Sequence, residues 1–162
     1  MKFCPRCASP LSLLQVDQRE RLACSAQCGF VHWNNPIPVV TALVQYQGGI
    51  LLSRNAGWPE GVFSMMSGFV EQNEAPEQTV LRETSEELGL VVSRLQLIGH
   101  YPFEKFNQLV IAYAIEANGE LRINEEIAEV RQVTLDELAR YDFGRLRLTT
   151  RIVADWLAQG GR

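Results

Sequence analysis

Unbroken apolar stretches and short alternating runs dominate the chain from residue 39 onward. Residues 39–44 and 50–53, separated by Gln47-Gly48-Gly49, read as two strands joined by a turn. Further runs at 62–66, 95–98, 109–115, 121–123 and 130–133 extend this into a mixed sheet of several strands. A helix fits residues 76–88: Pro76 stands where its missing N–H costs little, and Gly89 supplies the stop, although Ala75 is a poor cap. Thr134-x-x-Glu137 has the form of a capping box and predicts a second helix. Residues 148–158 predict a third, and the apolar spacing of both marks them as cover for the sheet.

The first 31 residues follow a different rule. Their large apolar side chains, Phe3, Leu11, Leu13, Leu14, Leu22 and Phe30, are too few to hold a fold alone. All four cysteines lie here, as Cys4-x-x-Cys7 and Cys24-x-x-x-Cys28. In a reducing compartment two close pairs read as a tetrahedral thiolate site for structural Zn²⁺, the alternative being unpaired core cysteines. Asn34-Asn35-Pro36-Ile37-Pro38 reads as a stiff linker, because each proline fixes its own φ and extends its predecessor. The expected organisation is a metal-stapled module at 1–34 and a larger domain at 35–162.

A composition of 46% hydrophobic and 21% charged residues is ordinary for a globular chain and excludes fibrous or disordered classes. No run of eighteen apolar residues occurs, and the amino terminus leads into cysteines instead of the apolar stretch of a signal peptide. A cytoplasmic protein without membrane association is expected. The formal net charge of -4 gives long nucleic acid no general attraction, but clustered acids suit divalent cations that bridge to phosphate oxygens.

The acids cluster on the first helix. Glu83, Glu86 and Glu87 stand at i, i+3 and i+4 and share one face, where mutual repulsion opposes the helix by a few tenths of a kcal/mol per pair, roughly, until a cation reverses the sign. Leu81, Thr84 and Leu88 form the docking stripe, the Thr84 hydroxyl needing a partner such as the carbonyl one turn earlier. Arg82 stands where a guanidinium can fork onto a carboxylate. Read alone, such a face is more often simply a solvated one. The preceding loop adds Glu71 and Glu74, so that five acids converge on one loop-helix unit.

These residues resemble the Nudix signature, Gly-x5-Glu-x7-Arg-Glu-U-x-Glu-Glu-x-Gly-U, in which U is bulky and apolar. Gly68, Glu74, Arg82, Glu83, Glu86, Glu87, Gly89 and Leu90 match, and only Thr84 departs, at the first U. The resemblance implies the α+β class, an α/β/α sandwich around a mixed sheet, preceded here by a small zinc ribbon. It further implies a Mg²⁺- or Mn²⁺-dependent pyrophosphohydrolase. Glu83 and Glu87 resemble metal ligands, with the Ser67 carbonyl as a further one. Glu86 resembles a ligand or the base that activates water, and Glu74 and Arg82 resemble supports for the helix carboxylates. Hard cations would neutralise the diphosphate and lower the pKa of the attacking water.

A ribbon ahead of such a domain resembles the NADH pyrophosphatase group. That group's Ser-Gln-Pro-Trp-Pro-Phe-Pro-x-Ser segment falls on residues 100–108, where Pro102 and Phe103 match and the remainder departs. Phe103 and Phe106 can sandwich a nucleobase or nicotinamide ring with Lys105 near a phosphate and Gln108 beside them, or serve as core. Glu126 aligns with a late metal-binding acid of the group, the alternative being a solvated turn. The substrate expected is NADH or a related dinucleotide such as ADP-ribose or FAD. Hydrolysis of an NAD cap on RNA, and a zinc-ribbon module binding nucleic acid or protein on an inert Nudix scaffold, are the competing readings. Homodimer contact is a further role open to the ribbon.

Overall fold

The computed structural model describes residues 1–161; Arg162, the last residue of the expected 35–162 domain, lies outside them. The chain divides into two compact units, Met1–Pro36 and Ile37–Arg162.

In the first unit, β1 (Leu11–Val16), β2 (Arg19–Cys24) and β3 (Val31–His32) form an antiparallel sheet in that order. Asp17 and Gln18 turn the first hairpin with φ of 50° and 62°, the paired positive values that suit the right-handed twist of the flanking strands. Few side chains are buried here, Cys4, Ala23 and Cys24 being the hydrophobic ones, and the Arg21 guanidinium covers the Trp33 ring at 4.8 Å.

The second unit is built on β4 (Ile37–Tyr46) and β8 (Gln108–Asn118), which pair in parallel over nine residues at its centre. β7 (Val91–Phe103) flanks β8, while β5 (Gly49–Asn55) and then β9 (Ile127–Val133) follow on the other side, all antiparallel to their neighbours. A short strand, β6 (Met66–Phe69), pairs with residues 39–42 of β4, upstream of the residues that β5 uses. The sheet therefore forks, and the amino-terminal half of β4 is where the fork opens.

Both faces of the sheet are covered, which is why its central strands read as continuous apolar runs. Alternate residues feed two cores. Val39, Leu43, Val110, Ala112 and Ala114 join Ile152, Val153 and Trp156 of α3 (Arg147–Ala158), with Leu138 of α2 (Leu135–Leu138). Val40, Ala42, Val44, Ile111, Tyr113 and Ile115 join Val80 and Leu88 of α1 (Pro76–Leu88). The result is an α/β/α sandwich around a mixed sheet, the architecture that the signature's resemblance implied. No helix among the described residues is long and apolar enough to cross a membrane.

Several expectations shift. The linker ends early, since Ile37 and Pro38 already belong to β4 and Pro38 accepts a hydrogen bond from the Val70 amide. The run at 62–66 enters strand only at Met66, because residues 62–65 are drawn into the α3-side core through Phe63 and Met65 and bridge β5 only at Ser64. Residues 121–123 are not a strand at all. Their neighbourhood hydrogen-bonds to the end of a helix: the Arg122 amide donates to Leu88 O at 2.8 Å and the Asn124 amide to Glu87 O at 3.2 Å. The helix stripe is Val80, Thr84 and Leu88 at i, i+4 and i+8, with Leu81 left 45% exposed because it lies a 100° step round from Val80.

Candidate functional site

Helix α1 starts without a side-chain cap on Ala75, whose amide instead donates to Gln78 Oε1 at 2.8 Å. It ends at Gly89, whose φ of 68° is a left-handed stop, and its last carbonyls are met by the strap at residues 122–124. The same strap turns through Asn124, whose Oδ1 accepts from the Glu126 amide at 3.0 Å. The carboxyl end of the acidic helix is thereby tied to neighbouring backbone, its amino end closing on its own Gln78 side chain, and Glu126 is delivered to the carboxylate face.

Arg82 organises that face. Its Nε and Nη2 fork onto Glu74 at 2.9 and 3.0 Å. Nη1 donates to Glu83 at 2.9 Å and to Glu86 at 3.0 Å, and Nη2 also reaches Phe69 O at 3.2 Å. Glu74 accepts in addition from Thr79 Oγ1 and the Glu71 amide. The Arg82 guanidinium first, then these further donors, hold the Glu74 carboxyl down at about 2. It is thus a fixed anion at any physiological pH.

Glu87 is the opposite case. It is 3% exposed, and its Oε2 has no hydrogen-bond partner. Burial first, and then the charges of Glu83, Glu126 and Glu86, push its carboxyl up to about 8. Burial likewise raises Glu83. An orphaned buried carboxylate oxygen costs about 1–3 kcal/mol or more, so this arrangement is strained until something positive arrives. Glu83, Glu86, Glu87, Glu126 and Glu71 line one cavity of about 480 Å³, with Ser67 and Gly68 on its wall. Hard oxygen donors around an unpartnered carboxylate fit a divalent cation.

Gly68 explains its own place in the signature. A Cβ at this position would overlap the Glu83 side chain, so any larger residue would push that carboxylate from its place. Thr84, the one departure from the signature, is fully buried and donates to Val80 O at 2.7 Å, which satisfies the hydroxyl inside the helix.

A second cavity, about 520 Å³, adjoins the first. The two share Val39, Ser67 and Gln108. Phe103, Lys105 and Phe106 line the second, so the four expected substrate contacts do gather at one place, with Gln108 at the junction. The two phenylalanine rings meet edge to face, centroids 5.2 Å apart and planes at 72°, leaving no slot between them; a base can lie against the pair but not inside it. Trp58, Arg145 and Arg147 also line this cavity, and sequence reading passed over them. Their only signal was a tryptophan in a Gly-Trp-Pro turn and an Arg-x-Arg ahead of a helix.

In the first unit the sulfurs of Cys4, Cys7, Cys24 and Cys28 all lie within 4.8 Å of one another, with Cys4–Cys28 and Cys7–Cys24 at 3.4 Å. None is in a disulfide. Four thiols at this spacing fit a tetrahedral zinc ion. Among the described residues no carboxylate group is drawn together as tightly.

Residues 35–156 match the NUDIX domain family, and residues 2–34 match the Nudix N-terminal zinc ribbon. The chain is 33% identical over 141 residues to the NAD-capped RNA hydrolase NudC of Pseudomonas aeruginosa, an alignment covering 85% of this chain and 49% of that protein. It is 30% identical over 142 residues to the mitochondrial NAD(P)H pyrophosphatase NUDT13 of Mus musculus, covering 85% of this chain and 40% of the relative. The chain thus spans about half the length, or less, of these curated relatives. A NUDIX hydrolase from Nitrosomonas europaea superposes with a TM-score of 0.79 at 24% identity, over 98% of this chain and 92% of that one.

Proposed function

The chain belongs to the Nudix family, and from that premise we propose that it hydrolyses the diphosphate linkage of a nucleoside diphosphate derivative, NADH or a related dinucleotide such as ADP-ribose or FAD. The observation that carries this reading is the buried, unpartnered Glu87 in a cavity lined by four further glutamates. Mg²⁺ or Mn²⁺ would be held by Glu83, Glu86, Glu87 and Glu126 with the Ser67 carbonyl, and when bound would neutralise the diphosphate and acidify water. Residues 1–34 serve as an architectural zinc ribbon and 35–162 as the hydrolase. Four thiols outside any disulfide suit a reducing compartment such as the cytoplasm.

The chain's own groups divide the work. Glu74 stays ionised and anchors Arg82, which in turn fixes the rotamers of Glu83 and Glu86. Glu86, the most exposed of the three helix carboxylates, can leave its single Arg82 contact and accept a proton from water. The nucleoside would occupy the adjoining cavity, its base against Phe103 and Phe106 and Gln108 at the border with the diphosphate.

Glu86→Gln should keep the fold and lose about 10²–10⁴-fold in turnover, the usual contribution of a general base. The test is release of monophosphates from NADH, NAD, ADP-ribose and FAD with each cation. Activity like wild type in that variant would overturn the reading. Hydrolysis of an NAD cap on RNA is a second reading, favoured by the resemblance to NudC, and end-labelled capped RNA separates it from the first.

A further inference from the structure

The carboxylate cleft and the cavity beside it carry opposite charge. The cleft is lined by five glutamates and Arg82. The adjoining cavity is lined by Lys105, Arg145 and Arg147 and by no carboxylate. In a chain of net charge -4, three cations around one cavity and no acid is not the average surface.

These cations are also unspent. Among the described residues the ion pairs engage Arg54, Arg82, Arg94, Arg122 and Arg151. Lys105, Arg145 and Arg147 take part in none, and Lys105 only lies over the Phe106 ring at 5.0 Å. Arg147 opens α3, whose first turn has no side-chain cap and adds partial positive charge of the same sign.

A scissile diphosphate does not need this wall. It belongs in the cleft, where the glutamates call for cations that would neutralise it. A base with an unmodified ribose brings no charge to the second cavity, and three unpaired cations would face nothing there.

We propose that Lys105, Arg145 and Arg147 form an anion subsite for a phosphate carried on the ribose of the nucleoside in this cavity, outside the diphosphate that is cleaved. The inference rests on the hydrolase reading above and names the substrate class more narrowly: dinucleotides bearing a ribose phosphate. That phosphate has two sources, a 2′-phosphomonoester on a free dinucleotide or the 3′-phosphate that continues into an RNA chain. Forked arginine contacts to phosphate are the geometry this residue type supplies best.

The experiment compares three probes by calorimetry on the intact protein with its zinc bound and no Mg²⁺ or Mn²⁺ added: AMP, adenosine 2′,5′-bisphosphate and adenosine 3′,5′-bisphosphate. One bisphosphate should bind about tenfold or more tightly than AMP, as one charge-assisted contact pair allows. Preference for the 2′ isomer assigns the free dinucleotide, and for the 3′ isomer the RNA chain. In Arg145→Gln/Arg147→Gln the preference should fall to about 1, and Arg145→Lys/Arg147→Lys should restore part of it. Because each ratio is taken within one protein, partial unfolding cancels. Equal binding of all three by the wild type, or a preference that the double glutamine variant leaves intact, overturns the subsite. Parallel assays with NADH and NADPH keep the two readings apart. Turnover of both at equal efficiency with no bisphosphate preference removes only the subsite, and tight bisphosphate binding without any turnover removes only the hydrolase.

Discussion

The molecule gathers like ligands twice, and the two gatherings differ in completeness. The thiol cluster is symmetric and closed: four sulfurs, each within 4.8 Å of the rest, two on buried and two on exposed residues. The carboxylate cluster is graded. Glu74 is fully clasped, Glu83 is held by one donor, Glu86 is half exposed, and Glu87 is buried with an empty oxygen. A closed set of ligands has no position left for chemistry and acts as a staple, whereas an open, uneven set keeps positions for water and substrate. The difference predicts that damage to one should appear as lost structure and damage to the other as lost rate.

The largest effect expected is at the staple. Cys24→Ser should release zinc and unfold residues 1–36, since structural zinc sites of this kind are worth about 10–16 kcal/mol in apparent binding energy. Metal analysis and hydrogen exchange confined to that unit would check it, and retained zinc with native protection would break the contrast.

Next is Glu87→Gln. Turnover should fall by about 10²-fold or more, yet the metal-free protein should melt higher, because the amide removes a buried charge that lacks a partner. The gain has a pH signature. The Glu87 carboxyl sits at about 8 in the folded protein against 4.5 ordinarily, so the folded state prefers it protonated. Its penalty is absent below about pH 4.5, builds as pH rises from there to about 8, and is complete above that. Melting curves of both proteins without metal should therefore coincide near pH 4 and separate by pH 8; parallel curves would remove this account of Glu87.

Gly68→Ala should cost about tenfold or more in kcat by displacing the Glu83 carboxylate, with KM for the cation rising as well. The smallest effect belongs to Thr84→Leu, which restores the family's apolar residue. The hydroxyl it removes bonds only within the helix, but leucine adds bulk at a fully buried position, so stability should fall by about 1–2 kcal/mol, read by thermal melting, while turnover stays unchanged.

The acidic helix was legible because everything about it is local. Its period, its stop at Gly89 and its carboxylate spacing lie within residues 68–90, and the same stretch carries the signature. The thiol pairs were legible for the same reason. What failed was non-local. Alternation at 121–123 looks like a strand, but the partners of its backbone amides are the last carbonyls of a helix more than thirty residues upstream, roughly, and periodicity has no term for that. Arg145 and Arg147 line the same cavity as Lys105 only because the segment that enters α3 packs on the face of the sheet, and nothing in their own neighbourhood announced a cavity. The Phe103 and Phe106 pair lay between: both rings line the cavity, but they meet edge to face, an orientation set by packing that no sequence motif carries.

The strap at residues 122–126 has a consequence for how such chains can change length. Connections on a protein surface ordinarily absorb insertions at little cost. This one is pinned to the helix at Leu88 and Glu87, and Glu126 follows two residues after the second pin. A single residue gained between Asn124 and Glu126 would carry that carboxylate out of register with Glu83 and Glu87, so this short segment should be among the least extensible in the molecule despite lying outside every helix and strand.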